Sequence, residues 1–194
     1  GSFSEPRFTL ALDGDGITAD TFGVGDLALD MTADLLGPLD QPFAGVRLEG
    51  SGQVVDLTQN GEPLRPESGV TLDLAAIVPM EGEARLERFS LAGQHVSVNG
   101  TASVTMPELA GTGRLEARVP SVEDLLAALG PAAPSDLAAT GAVDLVADIG
   151  LAAELAQITV DLAVQGENLA GLPLDLDALV GGDPSITGRV MLRP

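Results

Sequence analysis

The 194-residue chain has no cysteine, lysine, tryptophan or tyrosine, and one histidine, His95. Without cysteine there is neither a disulfide framework nor a thiolate nucleophile, and a lone histidine cannot complete the usual zinc ligand sets. An oxidising compartment is therefore permitted but not required. Aromatic residues make up 3% of the chain, so the stacking platforms that hold bases are nearly absent. Positive charge is scarce as well: nine basic residues, all arginine, face 29 acidic ones, for a net charge of −20. Such a surface repels phosphate backbones and anionic headgroups, which argues against nucleic acid as a partner. Its plain effect is to keep a β-rich molecule soluble. No apolar run approaches the roughly 20 residues of a membrane span, and Gly1-Ser2-Phe3-Ser4 lacks the regions of a signal peptide. Gly1-Ser2 reads as a cloning scar, which leaves residues 3–194 as one domain excised from a larger protein.

What is abundant is aliphatic. The apolar fraction is 45%, nearly all leucine, valine, alanine and isoleucine. Its distribution is periodic. From Val96 to Met106 the chain alternates strictly, with Val96, Val98, Ala102, Val104 and Met106 on one side and Ser97, Asn99, Thr101, Ser103 and Thr105 on the other. A period of two is the signature of a strand with one oily face. The same rhythm runs through Val70 to Val78, Ala142 to Ile149 and Ile158 to Val164. Asp73, Asp144, Asp148 and Asp161 occupy polar positions of these alternations and are expected to face water.

Turn-forming residues punctuate the strands: Gly37-Pro38, Asn60-Gly61, Gly93, Asn99-Gly100, Gly111-Thr112-Gly113, Gly150, Gly166 and Gly181-Gly182-Asp183-Pro184. Asn60-Gly61 is the best two-residue hairpin, with Pro63 and Pro66 making its return leg irregular. The clearest break in the rhythm is a short helix within 121–130. Ser121 is placed to cap it, Asp124 follows three residues later, and Gly130-Pro131 stops it. Val122, Leu125, Leu126 and Leu129 then form one apolar stripe that presses on the sheet. Gly150 to Gln157 reads equally as a helical turn or an untidy hairpin.

No motif argues for an enzyme. Asp13-Gly14-Asp15-Gly16 places Ile17 and Val24 where a calcium loop needs oxygen ligands, so it reads as a turn. Gly23-Val24-Gly25 lacks the βαβ setting of a dinucleotide fingerprint, and Gly50-Ser51-Gly52 lacks the spacing of a nucleophile elbow. Asn99-Gly100-Thr101 matches a glycosylation sequon by chance. His95 is expected to be an exposed turn residue. No cofactor and no metal site are expected.

Roughly a dozen strands at about 4.8 Å spacing would form a sheet on the order of 60 Å wide, too large to stay flat and uncovered. A sandwich, a closed barrel or a sheet folded over on itself would each shelter the oily face. The segments Leu109 to Gly130, Ala138 to Leu151 and Gly166 to Leu179, with their repeated L-x-L-x-G strands, resemble the TamB family, related to the AsmA-like bridge proteins. The resemblance spans most of Leu72 to Val190. It implies an all-β periplasmic β-taco: a long, mostly antiparallel sheet curled around an apolar concave groove. The cargo so implied is phospholipid or unfolded outer-membrane protein, with an outer-membrane barrel partner of the TamA type. The parent protein would be anchored in the inner membrane of a Gram-negative bacterium. Under this reading Leu72, Leu74, Val96, Val98, Val104, Met106, Leu115, Val119, Val143, Leu145, Ile158, Val160 and Leu162 line the groove. The alternative is a structural or adhesive β-sandwich or solenoid whose aliphatic face is sealed and carries no cargo.

Overall fold

A computed structural model describes residues 6–19, 22–37, 43–59, 61–63, 69–130, 133, 138–171 and 182–193. Gly1-Ser2, Pro38, Asn60, Pro66, Pro131, Gly181 and the 172–179 portion of the family resemblance lie outside these residues. The protein is all-β. Its strands are β1 (Arg7–Ala19), β2 (Phe22–Leu35), β3 (Gly45–Gln59), β4 (Glu62–Pro63), β5 (Val70–Pro79), β6 (Gly82–Gly93), β7 (Ser97–Met106), β8 (Ala110–Val119), β9 (Thr140–Leu151), β10 (Ile158–Ala170) and β11 (Ser185–Leu192). Ten of them form one antiparallel sheet in the order β1-β2-β3-β5-β6-β7-β8-β9-β10-β11, and the two-residue β4 pairs with the end of β3. Each strand of this ladder thus pairs with its nearest sequence neighbours, across short turns and longer links alike. The sheet is not closed: β1 and β11 end the ladder as separate edges. Ten strands rather than a dozen span about 43 Å.

The helix forms as its end signals require. It runs as α1 from Val122 to Leu129, with the Asp124 amide donating to Ser121 Oγ at 3.1 Å. Gly130, at φ 51°, lets its own N–H turn back to the Leu126 carbonyl. Val122, Leu125, Leu126 and Leu129 are half-buried, while Glu123, Asp124 and Ala127 are exposed. The helix rests on β9, and the Gly141 N–H donates to the Glu123 carboxylate at 3.0 Å. The ambiguous stretch after Gly150 is a hairpin with a single 3-10 turn, Ala153–Leu155.

Several expected turns are strand interiors. Asp13-Gly14-Asp15-Gly16 lies within β1, with Asp15 opposite Asp26 and Ile17 opposite Val24. Gly16, at φ 62°, falls between these two pairs and the register runs on without a shift, where two glycines and two aspartates read as a reversal. Asn99-Gly100 and Gly111-Thr112-Gly113 likewise sit inside β7 and β8. Val96, in contrast, lies outside β7: its carbonyl accepts from the Gly93 N–H in the β6–β7 turn at 2.8 Å.

No second layer covers this sheet among the described residues. Among the described residues the buried hydrophobic ones are three alanines, Ala75, Ala139 and Ala147, and no large side chain there is fully buried. The accessible surface is 12177 Å². A compact monomer of this mass would expose about 8,600 Å². A sealed sandwich is therefore excluded for these strands, and their stability comes from strand-to-strand contact. A Cβ on Gly111 would meet the Ser103 carbonyl and the Val104 backbone, whereas one on Gly188 in β11 meets nothing within 4 Å. Gly111→Val should cost about 2 kcal/mol or more and lower Tm by roughly 5 °C, while Gly188→Val should stay within about 0.5 kcal/mol of wild type. Differential scanning calorimetry of the two variants checks this contrast.

Candidate functional site

Residues directly opposed across an antiparallel pair project to the same side, so the register assigns every strand residue to a face. One row crosses all ten strands as Leu12, Leu29, Gly52, Leu72, Leu91, Val98, Ala117, Leu145, Val164 and Ile186. Two residues along, the next row reads Leu10, Met31, Gly50, Leu74, Phe89, Gly100, Leu115, Ala147, Leu162 and Gly188. A third reads Phe8, Ala33, Leu48, Ala76, Leu86, Ala102, Gly113, Ile149, Val160 and Val190. None of these rows contains a polar side chain. The intervening row on the other side, Ala11, Asp30, Ser51, Asp73, Ser90, Asn99, Glu116, Val146, Ala163 and Thr187, carries three carboxylates.

Of the expected lining residues, the register brings Leu72, Leu74, Val98, Val104, Met106, Leu115, Val119, Val143, Leu145, Ile158, Val160 and Leu162 to this one face. Val96 stands apart in its turn. Sequence reasoning missed the N-terminal third of the face, such as Phe8, Leu10, Leu12 and Leu29. The signal was there in Phe8-Thr9-Leu10-Ala11-Leu12, but Ala11 blurs the alternation and the following Asp-Gly repeat reads as a turn. The face is least covered at its margins: Phe8 is 57% exposed on β1 and Ile186 58% on β11, while Leu72, Leu115 and Leu145 in between are half-buried. Leucine side chains on strands about 4.8 Å apart cover one another without a second layer.

The opposite face is held by ion pairs across the strands. Arg7 grips Asp34 with two bonds, Nε to Oδ1 at 2.6 Å and Nη2 to Oδ2 at 2.9 Å. Arg189 does the same to Asp161 across β10–β11, and Arg114 and Arg118 reach Asp148 and Asp144 across β8–β9. Of the four aspartates expected simply to face water, Asp144, Asp148 and Asp161 are thus paired, because the register sets an arginine opposite each. The guanidinium of Arg7 holds the Asp34 carboxyl below its ordinary range, and Arg189 does so for Asp161. Asp26 is pushed the other way, because it shares a hydrogen bond with the Asp15 carboxyl opposite it and feels the charges of Asp15 and Asp56.

His95 is not the exposed turn residue expected: it is 8% exposed, and its Nε2 has no hydrogen-bond partner. Folding of the β6–β7 turn onto its own Gly93–Val96 hydrogen bond goes with this burial. The hydroxyls of Ser103 and Thr112 lie 3.5 Å apart on the polar face, in a depression of about 360 Å³ flanked by Arg85 and Arg114. Both arginines are already occupied by carboxylates. Among the described residues, no three acidic or histidine side chains gather closely enough to hold a metal ion. No helix there is long and apolar enough to cross a membrane. No family model, curated protein or solved structure matches the chain.

Two opposite pH dependences follow from the carboxyls. Asp34 and Asp161 have lowered folded pKa values, so their stabilisation is complete above the unfolded value of about 3.9 and is lost as pH falls through the folded one. Asp26 has a raised folded pKa, so its contribution is present at acid pH and lost as pH rises through that value. Asp26→Asn should therefore raise Tm at pH 7 and give no gain below the unfolded carboxyl pKa. A Tm series against pH for wild type and variant measures the sign.

Proposed function

We propose that this chain is a non-enzymatic segment of a TamB-like envelope protein whose apolar face shelters greasy cargo in transit. The single observation behind this reading is the set of three unbroken apolar rows across an open ten-strand sheet with no covering layer. A curl of the sheet toward that side turns the face into a trough. Glycines at positions 50, 52, 100, 111 and 113 relieve crowding on the inside of such a curl. An acyl chain gains about 0.8 kcal/mol for each CH₂ taken out of water, so partial shelter offsets much of the cost of leaving a bilayer. Aliphatic walls without polar anchors grip no particular headgroup and let the chain slide. The cargo on this reading is a phospholipid acyl chain or a strand of a nascent outer-membrane barrel or autotransporter protein. The open edges β1 and β11 offer unpaired backbone groups for the latter.

The setting that accompanies this function is the periplasm of a Gram-negative bacterium, with an outer-membrane barrel partner of the TamA type and an inner-membrane anchor elsewhere in the parent protein. The acidic outer face supports it, because a strongly negative surface stays clear of anionic headgroups while the apolar side takes the tails.

The decisive variants place a charge on the face. Val98→Arg and Leu145→Arg alter one apolar row, on β7 and β9, where the open side leaves an introduced guanidinium a path to water. Both should keep the wild-type far-UV circular dichroism yet reduce transfer of a fluorescent phospholipid between vesicles at least about tenfold, the cost of setting a charge in an apolar passage. Asp73→Asn on the opposite face should leave transfer unchanged. Native mass spectrometry showing no lipid on wild-type protein, with transfer no faster than the buffer blank, would refute the reading.

A further inference from the structure

We infer that two copies of this chain associate face to face, apolar sheet against apolar sheet, and that this pair is the resting form of the protein in water. The inference rests on the register and the exposed surface, and holds whether or not a lipid is ever carried. Nine interstrand spacings and five alternating residues along each strand give the face about 43 Å by about 30 Å, roughly 1,300 Å². The largest apolar patch on an ordinary soluble monomer is about 300–600 Å². Apposing two such faces removes about 2,600 Å² from water, within the range of permanent dimers. The 12177 Å² accessible surface of the single chain leaves ample room for that loss.

Charge selects this geometry over an edge-to-edge one. Along the regular ladder the charged side chains stand on the face opposite the apolar rows, as in the pairs Arg7–Asp34 and Arg189–Asp161. Two copies facing each other keep the charged sides of their ladders on the two outer surfaces, with both apolar layers between them. Joining copies through an edge instead lines up two acidic faces side by side, where like charges repel. The relief of the face also suits a two-sheet core. Gly100 lies between Phe89 and Leu115, and Gly50 between Met31 and Leu74, so dimples alternate with knobs that a second sheet about 10 Å away can interleave.

The absence of cysteine makes the test clean, since one introduced thiol carries one spin label. Sedimentation equilibrium across a dilution series should show a species of twice the 19.6 kDa chain mass that gains population with added salt, as screening relieves the repulsion between copies. Ala102→Cys and Thr101→Cys place labels at neighbouring positions on opposite faces. Pulsed dipolar spectroscopy should give a shorter inter-copy distance for Ala102→Cys than for Thr101→Cys. Leu115→Arg should raise the dimer dissociation constant by about 100-fold or more, as an unpaired charge at an apolar contact does. If that variant does not fold, the label comparison on the two cysteine variants carries the test alone. A monomer at every concentration, equal distances from the two labels, or assembly beyond the dimer overturns the inference. Lipid transfer by a chain that stays monomeric would end this inference and leave the proposed function standing, and a dimer that captures no lipid would do the reverse.

Discussion

Everything in this structure depends on the register of one antiparallel ladder. Side chains alternate with a period of two, so a slip of one residue in any strand would carry its leucines and valines to the charged side. The register holds across ten strands because each pairs with its neighbour in sequence, and because mistakes place carboxylates among aliphatic groups. The cross-strand arginine–aspartate pairs supply a second check. Arg114 opposite Asp148 and Arg189 opposite Asp161 meet only when the apolar rows on the other side are also aligned. The same alignment produces both faces.

An open sheet of this size is an unusual solution to the hydrophobic effect. Most domains bury an oily face against a second layer, and the helix present here is far too small for that task. The consequence is a protein with three buried alanines in place of a core among its described residues, held by backbone hydrogen bonds and by lateral contact between neighbouring side chains. Its apolar surface remains available. That availability underlies both the proposed transport role and the proposed pairing of two copies, and guest and copy compete for one surface.

The irregularities are local and leave the faces intact. At the β5–β6–β7 junction the register shifts around Glu87 and Arg88, yet Leu86 still aligns with Ala76 and Ala102, and Phe89 with Leu74 and Gly100. Bulges take up the odd residue, so the alternation resumes in phase and the apolar rows stay continuous.

Alternation from Val96 to Met106 and its repeats determined, without any structure, that the chain is a sheet with one oily side, because period two is a property of local backbone geometry. The helix was as legible, since Ser121 and Gly130 act on their own first and last turns. Tertiary structure alone decided which glycines are turns and which are strand interiors: Gly100 and Gly113 belong to β7 and β8 because partner strands occupy both their sides. It also decided the burial of His95, and it decided the pairing of Asp144, Asp148 and Asp161, since each of these three depends on an arginine distant in sequence that only the register brings near. Above all it decided that the sheet remains open, because alternation is identical in a sealed sandwich and an uncovered face, and only the arrangement of whole strands separates the two.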